Sequence, residues 1–289
     1  MLSLLLGLFF GFLIGVGLIA IVEFLDNTVK PEHDLQSLIG APVLSTIGKI
    51  AKLQPGASQL FTVTHGRSGP AEAMRLLRTN LDFASASEEI KTLVITSPGS
   101  GEGKSTLTAN LGVVMAQSGA KTVILDGDLR KPTLHRVFGV QNDAGVTTLL
   151  THPSKSWTSV SKQVATPNLF LVPCGPIPPN PSDLLSSERF KQLLERVQQD
   201  ADIVLIDSSP VHSASDSLAL AAHADGLLLV SQSHKTRTDA LRDAAHAARQ
   251  GRIRVVGLVL NRLKGSQRST YYGEYYESDP APGVPSPGD

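Results

Sequence analysis

Residues 91–106, "KTLVITSPGSGEGKST", join an uninterrupted apolar run to a glycine-rich turn that ends in Lys-Ser-Thr. The apolar run predicts a buried strand, and a helix is predicted to begin near the lysine. Glycines before Lys104 let backbone amides turn inward around phosphate oxygens, while the helix N-terminus and the lysine supply positive charge. The strict form of this motif has glycine where this chain has Pro98. The stretch still predicts a nucleotide-phosphate site between a strand and a helix.

Short apolar runs alternate with amphipathic stretches around this motif. The strand candidates are 91–97, 121–126, 169–173, 202–207, 226–232 and 255–261, and the helix candidates lie at 71–86 and near 104–118, 182–199, 214–223 and 237–249. Continuous apolar strands separated by helices indicate a parallel sheet that is covered on both faces. We therefore predict an α/β domain with a doubly wound, mainly parallel sheet over residues 69–265.

Three aspartates follow apolar runs of the predicted sheet. Asp126 and Asp128 lie in "VILDGDLRKP", and Asp207 ends "DIVLID". The carboxyl ends of the strands are the edge at which open α/β sheets bind ligands, and an aspartate placed there commonly holds Mg²⁺ through water. Any one of them alone has an ordinary alternative as a helix or turn cap. Three at the same edge as the glycine-rich turn favour a metal-nucleotide site.

The first 22 residues carry no charged side chain. As a helix they would be about 33 Å long, enough for a hydrocarbon core of about 30 Å. A secretory signal would need a basic start and a small-residue cleavage site, which are missing here, and a buried core helix is the other alternative. We predict a transmembrane helix at 1–25 and a connector at 26–68. The lysines and arginine that follow predict a single pass with the C-terminal side cytoplasmic, at a bacterial inner or plasma membrane.

All four tyrosines of the chain lie in "YYGEYYE", residues 271–277; they are Tyr271, Tyr272, Tyr275 and Tyr276. The surrounding segment, 266–289, is rich in proline, glycine and acidic residues, so we predict a flexible, disordered tail. Tyrosine normally buries its ring, which this tail does not allow. The hydroxyls are then available as chemical acceptors; the alternative is a low-complexity aromatic tail without a role.

The order of these motifs resembles the Walker A, A′ and B series of the bacterial tyrosine kinases (BY-kinases), which are P-loop NTPases. The resemblance extends to "EAMRLLRTNL" (72–81), "GPIPPNPSDLL" (175–185) and the tyrosine cluster. Related ATPases of division-site placement and chromosome partition usually have a second lysine where this chain has Gly99. The nitrogenase type needs cluster cysteines, and Cys174 is the only cysteine here. Neither group ends in clustered tyrosines.

The resemblance implies that ATP and Mg²⁺ are the cofactors. The residues implied to bind ATP are Gly99, Gly101, Glu102, Gly103, Lys104, Ser105, Thr106 and Asn261. Ser105, Asp128 and Asp207 are implied to hold Mg²⁺, the two aspartates through water. Asp126 is implied to accept the proton of the incoming tyrosine hydroxyl, whose ordinary pKa is near 10. Lys104 and the three aspartates thus form the implied catalytic set.

Three other residues keep an ordinary alternative beside the implied role. Asn261 resembles the adenine-contacting position of related ATPases, yet an asparagine after a strand is also a common cap. Arg130 and Lys131 either add positive charge near the phosphates or simply lie on the surface. These alternatives stay open at the level of the sequence.

The resemblance also implies partners. Glu72, Arg75 and Arg78 match a pattern that joins subunits into a ring, in which tails are phosphorylated in trans; an intrahelical Glu72–Arg75 pair is the alternative. A polysaccharide chain-length-determinant membrane protein and a protein-tyrosine phosphatase are further implied partners. Many family members have two membrane helices, and the segment at 1–25 resembles the second. The formal net charge is zero, so no long-range field favours nucleic acid as a partner.

We therefore expect an ATP-dependent protein-tyrosine autokinase that regulates capsular or exopolysaccharide synthesis and export. One alternative is a membrane-anchored, partitioning-type ATPase whose nucleotide cycle drives dimerisation. The other is a scaffold that uses bound nucleotide only for assembly. Both alternatives keep the nucleotide site but leave the tyrosine cluster unmodified.

Overall fold

A computed structural model describes residues 2–31, 34–49 and 59–263, and in the first helix it describes the side chains of residues 6, 7, 9–17 and 24. The helices are α1 (Leu2–Leu25), α2 (Leu35–Ile39), α3 (Phe61–Thr64), α4 (Gly69–Ser87), α5 (Lys104–Gln117), α6 (Leu134–Phe138), α7 (Val146–Thr151), α8 (Pro181–Leu185), α9 (Glu188–Asp200), α10 (Asp216–Ala221) and α11 (Thr238–Gln250). The strands are β1 (Val43–Gly48), β2 (Thr92–Thr96), β3 (Thr122–Asp126), β4 (Lys162–Gln163), β5 (Leu169–Val172), β6 (Ile203–Asp207), β7 (Gly226–Gln232) and β8 (Val255–Leu263).

The eight strands form one sheet in the order β1-β8-β7-β2-β6-β3-β5-β4. Every neighbouring pair is parallel except β4 and β5. β2, which leads into the glycine-rich turn, lies between β7 and β6, and β3 lies next to β6. The prediction of a mainly parallel α/β fold is confirmed. Its consequence is that β2, β6 and β3 end side by side at one edge of the sheet.

Apolar side chains of the central strands alternate between two cores, one on each face of the sheet. Leu93 and Ile95 pack into the core that includes α4 and α5, whereas Val94 belongs to the core that includes α9 and α11. This alternation follows from the two-residue period of a strand. All five residues of β2 and all five of β3 are buried. A strand covered on both faces favours consecutive apolar residues, which explains the runs at Leu93–Ile95 and Val123–Leu125.

Two differences from the predicted elements have local causes. β1 was not predicted, because residues 43–48 follow Gly40 and Pro42 and lack a long apolar run; the strand nevertheless pairs with β8 at the sheet edge. The single helix predicted at 182–199 is two helices, α8 and α9. The second begins at Glu188, and the side chain of the preceding Ser187 caps it by accepting a hydrogen bond from the backbone N–H of Phe190.

α1 comprises Leu2–Leu25. In the described part of the chain, no helix is long and apolar enough to cross a bilayer. The predicted transmembrane helix at 1–25 is therefore not confirmed.

Candidate active site

The glycine-rich turn between β2 and α5 depends on its glycines. Gly101 and Gly103 have φ angles of +73° and +98°, in the left-handed region that side chains disfavour. A Cβ atom at Gly103 would also collide with the side-chain amide of Asn261. α5 then begins at Lys104 without a side-chain cap, so its first backbone N–H groups point into the turn. This is the arrangement that binds phosphate oxygens at a helix N-terminus.

The turn is braced from the loop that follows β7. The Glu102 carboxylate is 3% exposed, accepts a hydrogen bond from the Gly99 N–H at 3.1 Å and accepts another from the Thr236 hydroxyl at 2.7 Å. Lys235 donates to the carbonyl oxygens of Ser100 and Gly101 at 3.2 and 3.3 Å. Burial raises the pKa of Glu102, and these hydrogen bonds only partly oppose the rise. The Glu102 side chain therefore shapes the turn from within.

Asn261 contributes to the same brace. Its side-chain Nδ2 donates to the carbonyl oxygen of Glu102 at 2.8 Å, and its Oδ1 accepts from the N–H of Arg262 at 2.8 Å. Asn261 lies within β8, before its end at Leu263, so these contacts hold the glycine-rich turn and do not cap the strand. Its implied contact with adenine stays a prediction.

Lys104 and the three aspartates meet at the carboxyl edge of the sheet. Asp126 and Asp207 are register partners at the ends of β3 and β6. The Lys104 Nζ lies 3.1 Å from an oxygen of Asp128 and 3.9 Å from an oxygen of Asp207. Both Asp126 and Asp207 are fully buried. The sequence prediction that the glycine-rich turn and these carboxylates converge is confirmed geometrically.

Burial and the neighbouring charges shift the pKa values of Asp126, Asp207 and Lys104. Burial raises the pKa of Asp126 well above its usual value, and the negative charges of Asp207 and Asp128 raise it further. Burial also raises the pKa of Asp207, against the opposing attraction of Lys104. Burial alone would lower the pKa of Lys104, but the charges of Asp207 and Asp128 outweigh it and raise the pKa. Among the described residues, Lys104 is the cation that lies within ion-pair distance of these carboxylates.

The unsatisfied oxygens of this cluster fit a cation. Both carboxylate oxygens of Asp126 and one of Asp207 are buried without a hydrogen-bond partner among the described residues. A buried polar atom of this kind needs a ligand or ion to replace water. The same part of the chain contains no group of three or more His, Cys, Asp or Glu with the geometry of a protein metal cage. Mg²⁺ does not need one, since it keeps several waters and is bound by one or two carboxylates together with substrate phosphates.

The loop after β3 orients Asp128. Its Oδ1 accepts hydrogen bonds from the N–H groups of Arg130 and Lys131 at 3.3 and 3.0 Å, which leaves Oδ2 facing Lys104. The Arg130 guanidinium forms an ion pair with the buried Asp216 at 2.7 Å. Arg130 is thus neither an unpaired positive charge nor a plain surface residue. No local pattern marks Asp216 in the sequence, because its partner Arg130 is 86 residues away.

The predicted interface residues lie on α4. Arg75 pairs with Glu72 and donates to the carbonyl oxygen of Gly66 at 2.7 Å, so the intrahelical alternative is realised for this pair. Arg78 lies 3.9 Å from Asp82, with its side chain 30% exposed. These contacts exist within one subunit and do not test the ring. The four tyrosines lie outside the described residues.

Comparison with known proteins supports the same assignment. A family model described as ParA: NUBPL iron-transfer P-loop NTPase matches residues 89–269. The chain is 34% identical over 228 residues to the putative tyrosine-protein kinase CapB of Staphylococcus aureus, covering 79% of this chain and 100% of that protein. It is 38% identical over 223 residues to the tyrosine-protein kinase YwqD of Bacillus subtilis, covering 76% and 92%.

A solved structure agrees with these relatives. The kinase domain of the Escherichia coli tyrosine kinase ETK matches with a TM-score of 0.75 at 28% identity, covering 86% of this chain and 100% of that one. Residues 89–269, which the family model matches, include the strands that end at the lysine-bearing turn and at the aspartates. Taken with the motif order and the convergent site, the likeness to these proteins shows that the chain belongs to the bacterial tyrosine kinase family of P-loop NTPases.

Proposed function

We propose that this protein is an ATP-dependent tyrosine kinase that phosphorylates the tyrosine cluster at 271–276 in a neighbouring copy of itself. The observation that supports it most is the contact of Lys104 with Asp128 and Asp207, beside Asp126, whose carboxylate oxygens have no hydrogen-bond partner in the described ranges. In this proposal Lys104 binds the phosphates of ATP. Ser105, Asp128 and Asp207 would hold Mg²⁺, and Asp126 is the general base. Bound Mg²⁺ supplies charge neutralisation at the phosphates.

The position of the Asp126 carboxylate, with its pKa raised by burial, is compatible with a general base. A phenol with a pKa near 10 is poorly deprotonated at neutral pH, and proton transfer is most efficient when the pKa of the base lies near the working pH. The carboxylate is buried at the strand edge and its two oxygens are unsatisfied. A tyrosine hydroxyl that enters this edge would supply the missing donor.

Chain length alone does not decide between transfer within one chain and transfer between chains. Tyr271 is eight residues beyond Leu263, where β8 ends (271 − 263 = 8). Eight extended residues reach up to about 27 Å. β8 and β3 are four strand positions apart, which is about 19 Å. Transfer in trans therefore needs its own experiment.

The experiment mixes two variants that are each unable to label themselves in cis. One is Lys104→Met, which keeps the tyrosines; the other replaces all four tyrosines with Phe and keeps the site. With Mg-ATP, phosphotyrosine on the Lys104→Met chain shows transfer in trans. Label only on wild type, and never in the mixture, would show transfer in cis. Phosphate release without phosphotyrosine on wild type favours the partitioning-type ATPase, and neither product favours the assembly scaffold.

We further propose that the protein acts at the cytoplasmic face of a bacterial inner membrane, in capsular or exopolysaccharide synthesis and export. Residues 1–22 carry no charged side chain, and Phe9, Phe10 and Phe12 of α1 are exposed. Contiguous exposed apolar side chains mark a surface that lipid or another protein covers. A chain-length-determinant membrane protein and a tyrosine phosphatase are the partners that the resemblance suggests.

Fractionation of cells that express the full chain tests the location. The protein is expected in the membrane pellet after a high-salt wash, and a variant with Phe9, Phe10 and Phe12 changed to Ser is expected to shift toward the supernatant. Recovery of the wild-type chain in the supernatant would rule out membrane association.

A further inference from the structure

Three segments that are distant in sequence meet at the carboxylate of Asp216. This residue lies in the first turn of α10 and is fully buried. It accepts hydrogen bonds from Arg130 Nε at 2.7 Å and Nη2 at 3.2 Å, and from the Ser182 hydroxyl at 2.6 Å. Arg130 Nη2 also donates to Ser182 at 3.0 Å. The loop after β3, α8 and α10 are thereby tied together.

The same loop orients a carboxylate of the active site. Arg130 and Lys131 donate their backbone N–H groups to Asp128 Oδ1, and Asp128 Oδ2 lies 3.1 Å from Lys104. A continuous series of contacts therefore runs from Asp216 through Arg130 to Asp128 and on to Lys104. Each step is a hydrogen bond or ion pair of ordinary length.

We propose that Asp216 is a positioning residue for phosphoryl transfer: by holding Arg130, it fixes the loop whose amides orient Asp128. This inference rests on the proposed role of Asp128 at the Mg²⁺-phosphate site. It also gives a role to the segment "GPIPPNPSDLL", since Ser182 in α8 supplies the third member of the cluster. The cluster makes the geometry of the site depend on α8 and α10, which carry none of the implied catalytic side chains.

Stability alone is a poor explanation for this ion pair. Burial removes water from the Asp216 carboxylate, whereas the Arg130 side chain is 42% exposed, and an apolar residue in place of a buried charge often stabilises a fold equally well. An arginine–carboxylate pair with two hydrogen bonds instead fixes orientation, because the guanidinium is planar and its donors have a fixed geometry. Orientation of the loop is what Asp128 requires.

The test compares Asp216→Asn with wild type. Asparagine keeps the size of the side chain but removes the charge that holds Arg130. We expect kcat for tyrosine phosphorylation to fall about 10- to 100-fold, the usual effect of removing a group that orients a metal ligand. We expect ADP binding in the absence of Mg²⁺ to change less than about threefold, because the glycine-rich turn and Lys104 are intact. Arg130→Lys keeps the positive charge but not the planar guanidinium with its paired donors. It is expected to lose less activity than Asp216→Asn.

A control breaks another arginine–carboxylate pair, one with an exposed carboxylate, at the opposite edge of the sheet. Glu88 lies 3.2 Å from Arg254, before β2 and β8 begin, and Glu88→Gln should leave kcat unchanged. Thermal unfolding and circular dichroism of all variants, with active molecules counted by ADP binding, separate a positioning role from partial unfolding. If Asp216→Asn keeps kcat per ADP-binding molecule within twofold of wild type, the inference is wrong.

A second readout does not depend on kinase activity. Calorimetric titration of ADP with and without Mg²⁺ should show that Mg²⁺ strengthens ADP binding in wild type and in Glu88→Gln. In Asp216→Asn this strengthening should be about 10- to 100-fold weaker. Unchanged Mg²⁺ coupling would contradict the positioning role. Absence of phosphotyrosine in wild type with normal Mg²⁺ coupling would contradict the proposed kinase function instead.

Discussion

Asp126 and Asp207 are paired in register at the ends of adjacent parallel strands, so two fully buried carboxylates lie side by side. Like charges at this separation oppose ionisation of both groups, and burial acts in the same direction. The pKa values of both carboxyl groups are raised, and burial is the largest cause. The two carboxylates therefore repel each other when both are ionised, and a bound cation would reduce that repulsion.

This relationship predicts the pH dependence of stability. A carboxylate whose folded-state pKa is raised stabilises the fold fully below its unfolded pKa, ordinarily 3.8, and that contribution is lost as pH rises through the folded pKa. Asp126→Asn removes this loss. Without Mg²⁺ and nucleotide, the variant should have a higher Tm than wild type at pH 8, by about 2–4 °C if the gain is about 1 kcal/mol. The gain should shrink toward pH 4, as measured by calorimetry.

Asp239→Asn is the control for that measurement. Asp239 is an exposed carboxylate whose pKa is lowered to about 2 by hydrogen bonds from Arg237 and from the Ala240 N–H. Its contribution to stability has the opposite sign, since it is present above the unfolded pKa and lost as pH falls through 2. No rise in Tm at pH 8 is expected. A rise as large as that of Asp126→Asn would mean that loss of any acidic charge stabilises the protein.

The sequence was sufficient for the parallel sheet and for the convergence of the site, because both follow from local patterns. Apolar runs predicted β2, β3 and β6, and the carboxyl ends of parallel strands necessarily share one edge. Asp207 could therefore be placed near Lys104 without a structure. Asp216 and Thr236 could not be identified from the sequence. Their partners, Arg130 and Glu102, are 86 and 134 residues away, so only the folded structure shows the contacts.

The other differences between the predicted and observed elements occur where the sequence pattern is short or irregular. β1 is a short edge strand, and its Ser45 donates to the carbonyl oxygen of Ala73 in α4 rather than joining an apolar run. The break between α8 and α9 depends on the cap at Ser187. In the sequence this serine lies in a polar stretch, and its capping role is recognised only from its hydrogen bond with the Phe190 N–H. Asn261 was interpreted by analogy, whereas its contact with Glu102 is tertiary.

The brace of the glycine-rich turn predicts that Thr236 affects nucleotide affinity. Thr236 is 3% exposed, donates to Glu102 and accepts from the N–H of Gln232 at 2.8 Å. Thr236→Val keeps the shape but removes both hydrogen bonds, so the turn should become less ordered. We expect ADP to bind about 2- to 10-fold more weakly, which corresponds to about 0.5–1.5 kcal/mol for one net hydrogen bond. The measurement is calorimetric titration with ADP. Thr151→Val, at an exposed helix end, is the control and should bind ADP as wild type does.

The side-chain contacts on α4 predict which arginine would contribute to association between subunits. Arg75 is already engaged by Glu72, whereas Arg78 has an ion-pair distance of 3.9 Å to Asp82 and is the better candidate for an intersubunit contact. Phe83 on the same helix is 71% exposed. We expect Arg78→Glu to reduce the oligomer fraction measured by light scattering after gel filtration. Lys191→Glu on α9 reverses an exposed charge elsewhere and should have no effect. Equal oligomer fractions for the two variants would place the interface away from α4.

The tyrosine cluster predicts a link between phosphorylation and assembly. Each phosphate adds about −1.5 to −2 charge, so four modified tyrosines add about −6 to −8 to a tail that is already acidic. Such tails should repel one another and should fit poorly into a site that is rich in buried carboxylates. With Mg-ATP, wild-type oligomers are expected to become smaller with time, while a variant with all four tyrosines changed to Phe stays assembled. Sedimentation velocity at matched time points measures the two, and a non-hydrolysable ATP analogue with wild type separates nucleotide binding from phosphorylation. If the two proteins show the same size distribution after ATP, phosphorylation does not control assembly.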